Sequence, residues 1–270
     1  MNYHHPPLAL PWHRLARDLT HAFPDRAPAL EHALQAWLTA GGEFFEAVVG
    51  APIIRYGPRL TVTAPASGRP AEHPWGPPTW MGLRVGADGS VSAKPYHRLR
   101  RLGDRFTLPD GVPRDVRPVM GAWHGETREL YLRSTPSERW SVFASRVAAL
   151  VDAEPPVCLP LPRPSAGSFC LSLRWEADEL VAVTLYADDR SLPHDDDAIA
   201  EQWIEGMEPA EREAYLAAYA GVCAFAPSPN KARHAMLGWT IEAGGGSHRA
   251  ASLRVLHRRD AEEAACAPAG

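Results

Sequence analysis

A strand–turn–strand unit recurs along this chain, and each copy has one apolar and one polar strand face. Few features restrict a fold more, because successive side chains of a strand alternate between its two faces. Residues 80–85 and 90–99 flank Gly86-Ala87-Asp88-Gly89, where Asp-Gly supplies the positive φ of a tight hairpin turn. The same shape returns at 119–133 about Gly125-Glu126-Thr127, at 168–188 about residues 176–179, and at 236–257 about Gly244-Gly245-Gly246. Apolar residues at helical spacing predict helices over 8–49 (broken at Pro24 and Pro28), 137–151 and 198–222. A strand is predicted over 53–64. The expected order is a repeated helix-plus-hairpin unit, with an irregular stretch over 100–118. The chain is expected to be one domain over 1–270, with N-terminal helices in 1–50, repeated units in 51–260 and a flexible tail at 261–270.

The faces carry the functional argument. Ser92, Lys94, Tyr96 and Arg98 alternate with Val91, Ala93 and Pro95, while upstream Arg55, Arg59, Thr61 and Thr63 share a face opposite Leu60 and Val62. Ser168, Cys170, Ser172 and Arg174 oppose Phe169, Leu171, Leu173 and Trp175, and Thr184, Tyr186 and Asp188 oppose Val181, Val183 and Leu185. The apolar faces suit packing on helices. The polar faces either meet water, as in a two-layer antiparallel sheet, or line the lumen of a closed one. A solvent face is rich in Lys and Glu, whereas Arg, Tyr, Thr and Ser prevail here. This favours an α+β fold, an antiparallel β-barrel of repeated hairpins surrounded by helices.

Composition narrows the setting. With 270 residues, 45% of them hydrophobic, the chain has material for a sizeable core. Lys and Arg total 28 against 32 acidic residues, so no basic excess points to a nucleic-acid partner. No apolar run reaches membrane-spanning length and the first residues lack a signal-peptide pattern, so no membrane partner and a cytoplasmic location are expected. Cys158, Cys170, Cys223 and Cys266 lie far apart, as ordinary buried thiols of a reducing compartment would.

Arg55, Arg59, Lys94, Arg98, Arg133, Arg174 and Arg254 sit on several strands and would converge inside one barrel. Clustered cations without a carboxylate pair suit a diphosphate, because Arg forks match phosphate oxygens and Lys adds a point charge. Tyrosines beside them would donate hydrogen bonds and turn ring faces toward a carbocation. Fixed positive charge awaiting a pyrophosphate leaving group promotes ionisation of an allylic diphosphate.

The run from Gly82 to Tyr96, ending Lys94-Pro95-Tyr96, resembles the first K-x-Y strand of the aromatic prenyltransferases of the ABBA, or PT-barrel, type. Arg55-Tyr56-Gly57-Pro58-Arg59-Leu60-Thr61-Val62 is similar to the preceding strand of the indole-type members, with either arginine able to match the one that contacts donor diphosphate. Glu129-Leu130-Tyr131 stands where K-x-Y often repeats, and Thr184-Leu185-Tyr186 at a later tyrosine strand. The resemblance implies an antiparallel barrel ringed by helices, and transfer of a dimethylallyl or geranyl group to an indole or tryptophan, a phenol or a peptide side chain. It implies a cation shield of Tyr96, Tyr131 and Tyr186, and a metal requirement absent in many members, with Mg2+ used by some. Glu129 departs from the expected Lys, and Arg254 stands where a last tyrosine is common. For the acceptor-binding glutamate, Glu43 and Glu46 are the candidates. The competing readings are a peptide-tailoring enzyme of the thiopeptide cycloaddition type and a non-catalytic α+β ligand-binding protein.

Other motifs carry less. Asp195-Asp196-Asp197 is a single acidic run just before a helix, where carboxylates cap the positive end of the dipole. His4, His5 and His13 lack metal-ligand spacing. Gly244-Gly245-Gly246 lies between strands and is not a phosphate loop. Trp37, Trp140 and Trp203 fall on helices and are expected in the core.

Overall fold

The computed structural model describes residues 28–29, 32, 53–55, 60–65, 78–86, 90–99, 106–113, 115–134, 139–155, 169–188, 191–193, 195–225 and 233–254. Its strands are β1 (Ile53–Arg55), β2 (Leu60–Pro65), β3 (Trp80–Val85), β4 (Val91–Arg98), β5 (Val116–His124), β6 (Thr127–Ser134), β7 (Phe169–Glu176), β8 (Glu179–Asp188), β9 (His234–Glu242) and β10 (Ser247–Arg254). Helix α1 (Trp140–Ala148) follows β6 and runs into a 3-10 turn at Ala149–Val151, while α2 (Asp196–Trp203) and α3 (Pro209–Phe225) lie between β8 and β9. Of the N-terminal segment only Pro28, Ala29 and His32 are described, all helical. No helix among the described residues is long and apolar enough to cross a membrane.

The sheet is a closed barrel in the order β1-β10-β9-β8-β7-β6-β5-β4-β3-β2, and each neighbouring pair is antiparallel. Closure depends on a correction to the sequence expectation. Residues 53–64 are not one strand: β1 turns back on β2, with Ile53 opposite Thr63 and Arg55 opposite Thr61. The sequence between them, Tyr56-Gly57-Pro58-Arg59, holds a Gly-Pro pair of the kind that ends a strand. Because β1 also pairs with β10, this hairpin joins the first and last parts of the sheet and leaves no edge.

Other boundaries shift for local reasons. The single helix expected over 198–222 is two, because the chain turns over Ile204–Gly206, where Gly206 takes a φ of +66°, and Pro209 restarts the helix. Asp195 caps α2 as expected, its side chain accepting from the Asp197 and Ala198 amides at 3.0 and 3.2 Å. Asp196 instead reaches β9, accepting from the His234 amide at 3.0 Å and lying 2.7 Å from His234 Nδ1. Tyr215 of α3 meets His234 Nε2 at 2.7 Å, so one buried imidazole ties both helices to β9. The glycine run is a hairpin loop, with Gly244 and Gly245 at φ +94° and +96°. Of the thiols, Cys170 is half-buried but Cys223 is exposed on α3, against the expectation that the cysteines are buried.

The main core lies outside the barrel. Leu130, Leu171, Leu173, Val183, Leu185, Trp239 and Leu253 project from the strands against Phe143 and Val147 of α1, Ile199 and Trp203 of α2, and Tyr215 and Val222 of α3. Trp140 and Trp203 are both buried there, as their helical positions predict. A second, smaller cluster of Tyr96, Ala122, Tyr131 and Tyr186 sits on the opposite strand faces. Alternation along each strand thus sends apolar side chains outward to helices and leaves the lumen to polar and aromatic groups.

Candidate active site: a polar chamber inside the barrel

The lumen holds a chamber of about 450 Å³ that reaches the hairpin-turn end of the barrel, where His124, Thr127, Glu176 and Glu242 flank three turns. Its wall is set by register. Lys94 on β4 is opposite Gly82, and Arg84 on β3 is opposite Ser92 and Thr61. Glu129 and Tyr131 on β6 face Arg174 and Ser172 on β7, which in turn lie against Ala182 and Thr184 of β8. The polar residues therefore line up across strands because their in-strand spacing of two is the same everywhere.

Tyr96, Tyr131 and Tyr186 form a row across the lumen, with ring centroids 5.8 and 6.2 Å apart. Lys94 is only 2% exposed, and its ammonium lies 5.3 Å from the Tyr96 ring and 5.9 Å from that of Tyr131. The same ammonium is ion-paired with Glu129, whose carboxylate also accepts from the Tyr131 hydroxyl. Burial pushes the Glu129 carboxyl up, but Lys94 and Arg84 outweigh this and hold it down at about 2. Arg174 meets Glu242 at 3.2 Å, Ser172 Oγ lies 3.2 Å from the Tyr186 hydroxyl, and Thr184 and Thr240 are hydrogen-bonded at 2.9 Å.

The Glu129 carboxyl ionises more readily in the folded chain than its ordinary value of 4.5. The stability it contributes is therefore complete above about pH 4.5 and is lost as the pH falls toward about 2. Acid unfolding followed by tryptophan fluorescence should show this loss in the natural protein, and Glu129→Gln should remove that part of the slope.

Not every residue singled out in the sequence reaches this wall. Lys94, Arg174, Tyr96, Tyr131 and Tyr186 come together in the lumen. Arg98 is exposed at the end of β4, and Arg133 lies two residues beyond Tyr131, opposite Arg117 and Cys170; neither lines the chamber. Arg55 holds a register position between the chamber residues Thr61 and Ser252, and Arg254 stands opposite Ile53; the side chains of both lie outside the described residues. Arg59, Glu43 and Glu46 lie outside them altogether. The expectation of cations free of carboxylates is overturned, since Glu129 and Glu242 pair with Lys94 and Arg174. The cause is cross-strand adjacency, which brings residues far apart in sequence side by side. Arg84 lines the wall on the face that alternation gives it in common with Trp80, and Thr240 and Glu242, which no motif marked, lie where alternation from Gly238 points.

Gly238 shapes the wall. A Cβ there would lie 3.0 and 3.2 Å from ring carbons of Tyr186, so Gly238→Ala must push that ring aside. The variant is expected to lose about 1–3 kcal/mol by overpacking, measurable by urea unfolding.

No family model matches the sequence, and no curated protein matches it. Solved structures match the shape. A 5-dimethylallyl tryptophan synthase from Streptomyces coelicolor, in complex with DMASPP and Trp, is 14% identical and superposes with a TM-score of 0.57 over 90% of this chain and 93% of its own. A 6-dimethylallyltryptophan synthase from Micromonospora olivasterospora, in complex with the same two molecules, gives 15% and 0.53 over 80% and 84%. PriB, in a binary complex with product diphosphate, gives 14% and 0.59 over 89% and 95%. The chain has the aromatic prenyltransferase barrel fold. In this barrel the tyrosine row crosses the lumen from β4 through β6 to β8, and the buried ammonium lies against two of its rings.

Proposed function

We propose that the protein is an aromatic prenyltransferase that moves a prenyl group from an allylic diphosphate, dimethylallyl or geranyl, onto an aromatic acceptor. One observation carries this reading: a buried ammonium lies beneath a row of tyrosine rings inside a closed barrel. Lys94, Arg84 and Arg174 supply fixed positive charge where the diphosphate forms, so the C1–O bond breaks with its electron pair leaving on oxygen. Tyr96, Tyr131 and Tyr186 present ring faces to the allylic cation and keep water from it. The acceptor, an indole or tryptophan, a phenol or a peptide side chain, forms the new bond to carbon and gives up a proton. The DMASPP, Trp and diphosphate held by the solved neighbours support this assignment of donor and acceptor classes.

The leaving group is met by side-chain cations, so the reaction is expected to proceed without added metal, with Mg2+ at most assisting. The protein, incubated with dimethylallyl or geranyl diphosphate and a panel of indoles, phenols and aromatic peptides, should release pyrophosphate with and without a chelator. A ligand-binding protein would hold the diphosphate and release none. Absence of diphosphate binding by calorimetry, with and without Mg2+, rejects the transferase reading.

A further inference from the structure

The chamber is charge-balanced in a way its proposed task does not require. Arg84, Lys94 and Arg174 are matched in the wall by Glu129, Glu176 and Glu242. Arg249, which also borders the chamber, is committed elsewhere, since its guanidinium donates to the Trp203 and Glu205 carbonyls and stacks 4.3 Å from the Trp239 ring. Glu129 differs from the other two carboxylates. Its side chain is 13% exposed, and it takes the buried Lys94 ammonium directly.

The donors around Glu129 are not used up by it. An ammonium carries three protons, and a carboxylate oxygen meets one of those on Lys94. Arg84 Nε, also buried, has no hydrogen-bond partner among the described residues. Buried donors left over beside a carboxylate suit an anion with more acceptor oxygens than a carboxylate has.

We propose that Glu129 is a specificity-determining residue: its carboxylate stands in for the substrate anion on Lys94, and only an anion charged enough to displace it, a diphosphate rather than a monophosphate, takes the site. This rests on the diphosphate reading above and adds to it a threshold. Each anion must compete with a tethered carboxylate of fixed proximity. A monophosphate, with fewer oxygens and less charge, gains too little from Lys94 and Arg84 to offset the separation of the pair. A diphosphate spans both cations and does so. The Tyr131 hydroxyl donates to the same carboxylate oxygen that meets Lys94, a partner for Glu129 that does not depend on the ammonium.

The test uses inorganic pyrophosphate and inorganic phosphate as probes, titrated by calorimetry into the natural protein, Glu129→Gln and Glu129→Asp at neutral pH. Removing the competing charge should tighten pyrophosphate about tenfold, the scale of one charge contact at short range inside a protein. It should tighten phosphate by a similar factor, which brings an anion that the natural protein barely holds into the measurable range. Should Glu129→Gln fail to fold with Lys94 left unpaired, Glu129→Asp carries the test, because its shortened carboxylate keeps the charge but loosens the contact; about threefold tightening is expected. Unchanged or weaker pyrophosphate binding in the folded variants, with the natural protein binding normally, overturns the proposal and leaves the transferase reading intact. Binding to none of the three proteins overturns both.

Discussion

Lys94→Ala should cost the protein both stability and donor binding, and the two losses should be separable. Deleting the ammonium strands the Glu129 carboxylate in a wall where burial opposes its charge. Breaking one side of a buried pair costs about 3–5 kcal/mol, so the midpoint of guanidinium unfolding should fall clearly. Binding of an allylic diphosphate, read by calorimetry below the unfolding transition, should weaken about a hundredfold, as expected for losing a charge-assisted contact in a desolvated site. In the double variant Lys94→Ala with Glu129→Gln neither member of the ion pair is left without the other. Stability should largely return while donor binding stays weak. Donor affinity unchanged in Lys94→Ala would remove this ammonium from the anion site.

Trp203→Ala should be strongly destabilising although the residue lies outside the chamber. The indole is 1% exposed, packs edge-on against Trp239 at 6.1 Å, and has the Arg249 guanidinium 5.5 Å from its ring. Truncation leaves a cavity between α2 and β9 and loosens the support of Arg249, at a cost of about 3–5 kcal/mol. Urea unfolding measures it. Because Trp203 lies on the helix side of the sheet, the surviving folded fraction should bind donor with unchanged affinity; a large loss of affinity would mean that the outer core and the chamber are coupled.

The sequence made some of this legible and hid the rest, for physical reasons. Alternation in β4, β7 and β8 identifies lumen and helix faces because a strand's period is fixed by its backbone; Lys94, Tyr96, Arg174 and Tyr186 follow directly. Tyr131 follows from the same alternation, but its neighbour Glu129 shows how little alternation says about partners. That carboxylate reads as a defect in a cationic motif until register sets it against Lys94. Ion pairs such as Arg174–Glu242, 68 residues apart, depend on which strands become neighbours, which no local pattern encodes. The split of residues 53–64 into two strands is masked in the sequence because the apolar rhythm continues past Gly57-Pro58, although closure of the barrel depends on that break. Arg98 and Arg133 share a face with chamber residues yet lie past the tyrosine row, since alternation gives a side and not a depth.

The placement of the main core outside the barrel has a consequence for how such a protein changes over time. Along β6, Leu130 and Leu132 keep the chain folded, while Glu129 and Tyr131 between them face the chamber. Residues that fold the protein and residues that line its chamber thus alternate along a strand, each set on its own face. A substitution on the lumen face alters what the chamber accepts without touching the outer core, so changes of ligand are constrained by the chamber's own contacts rather than by the helices outside it.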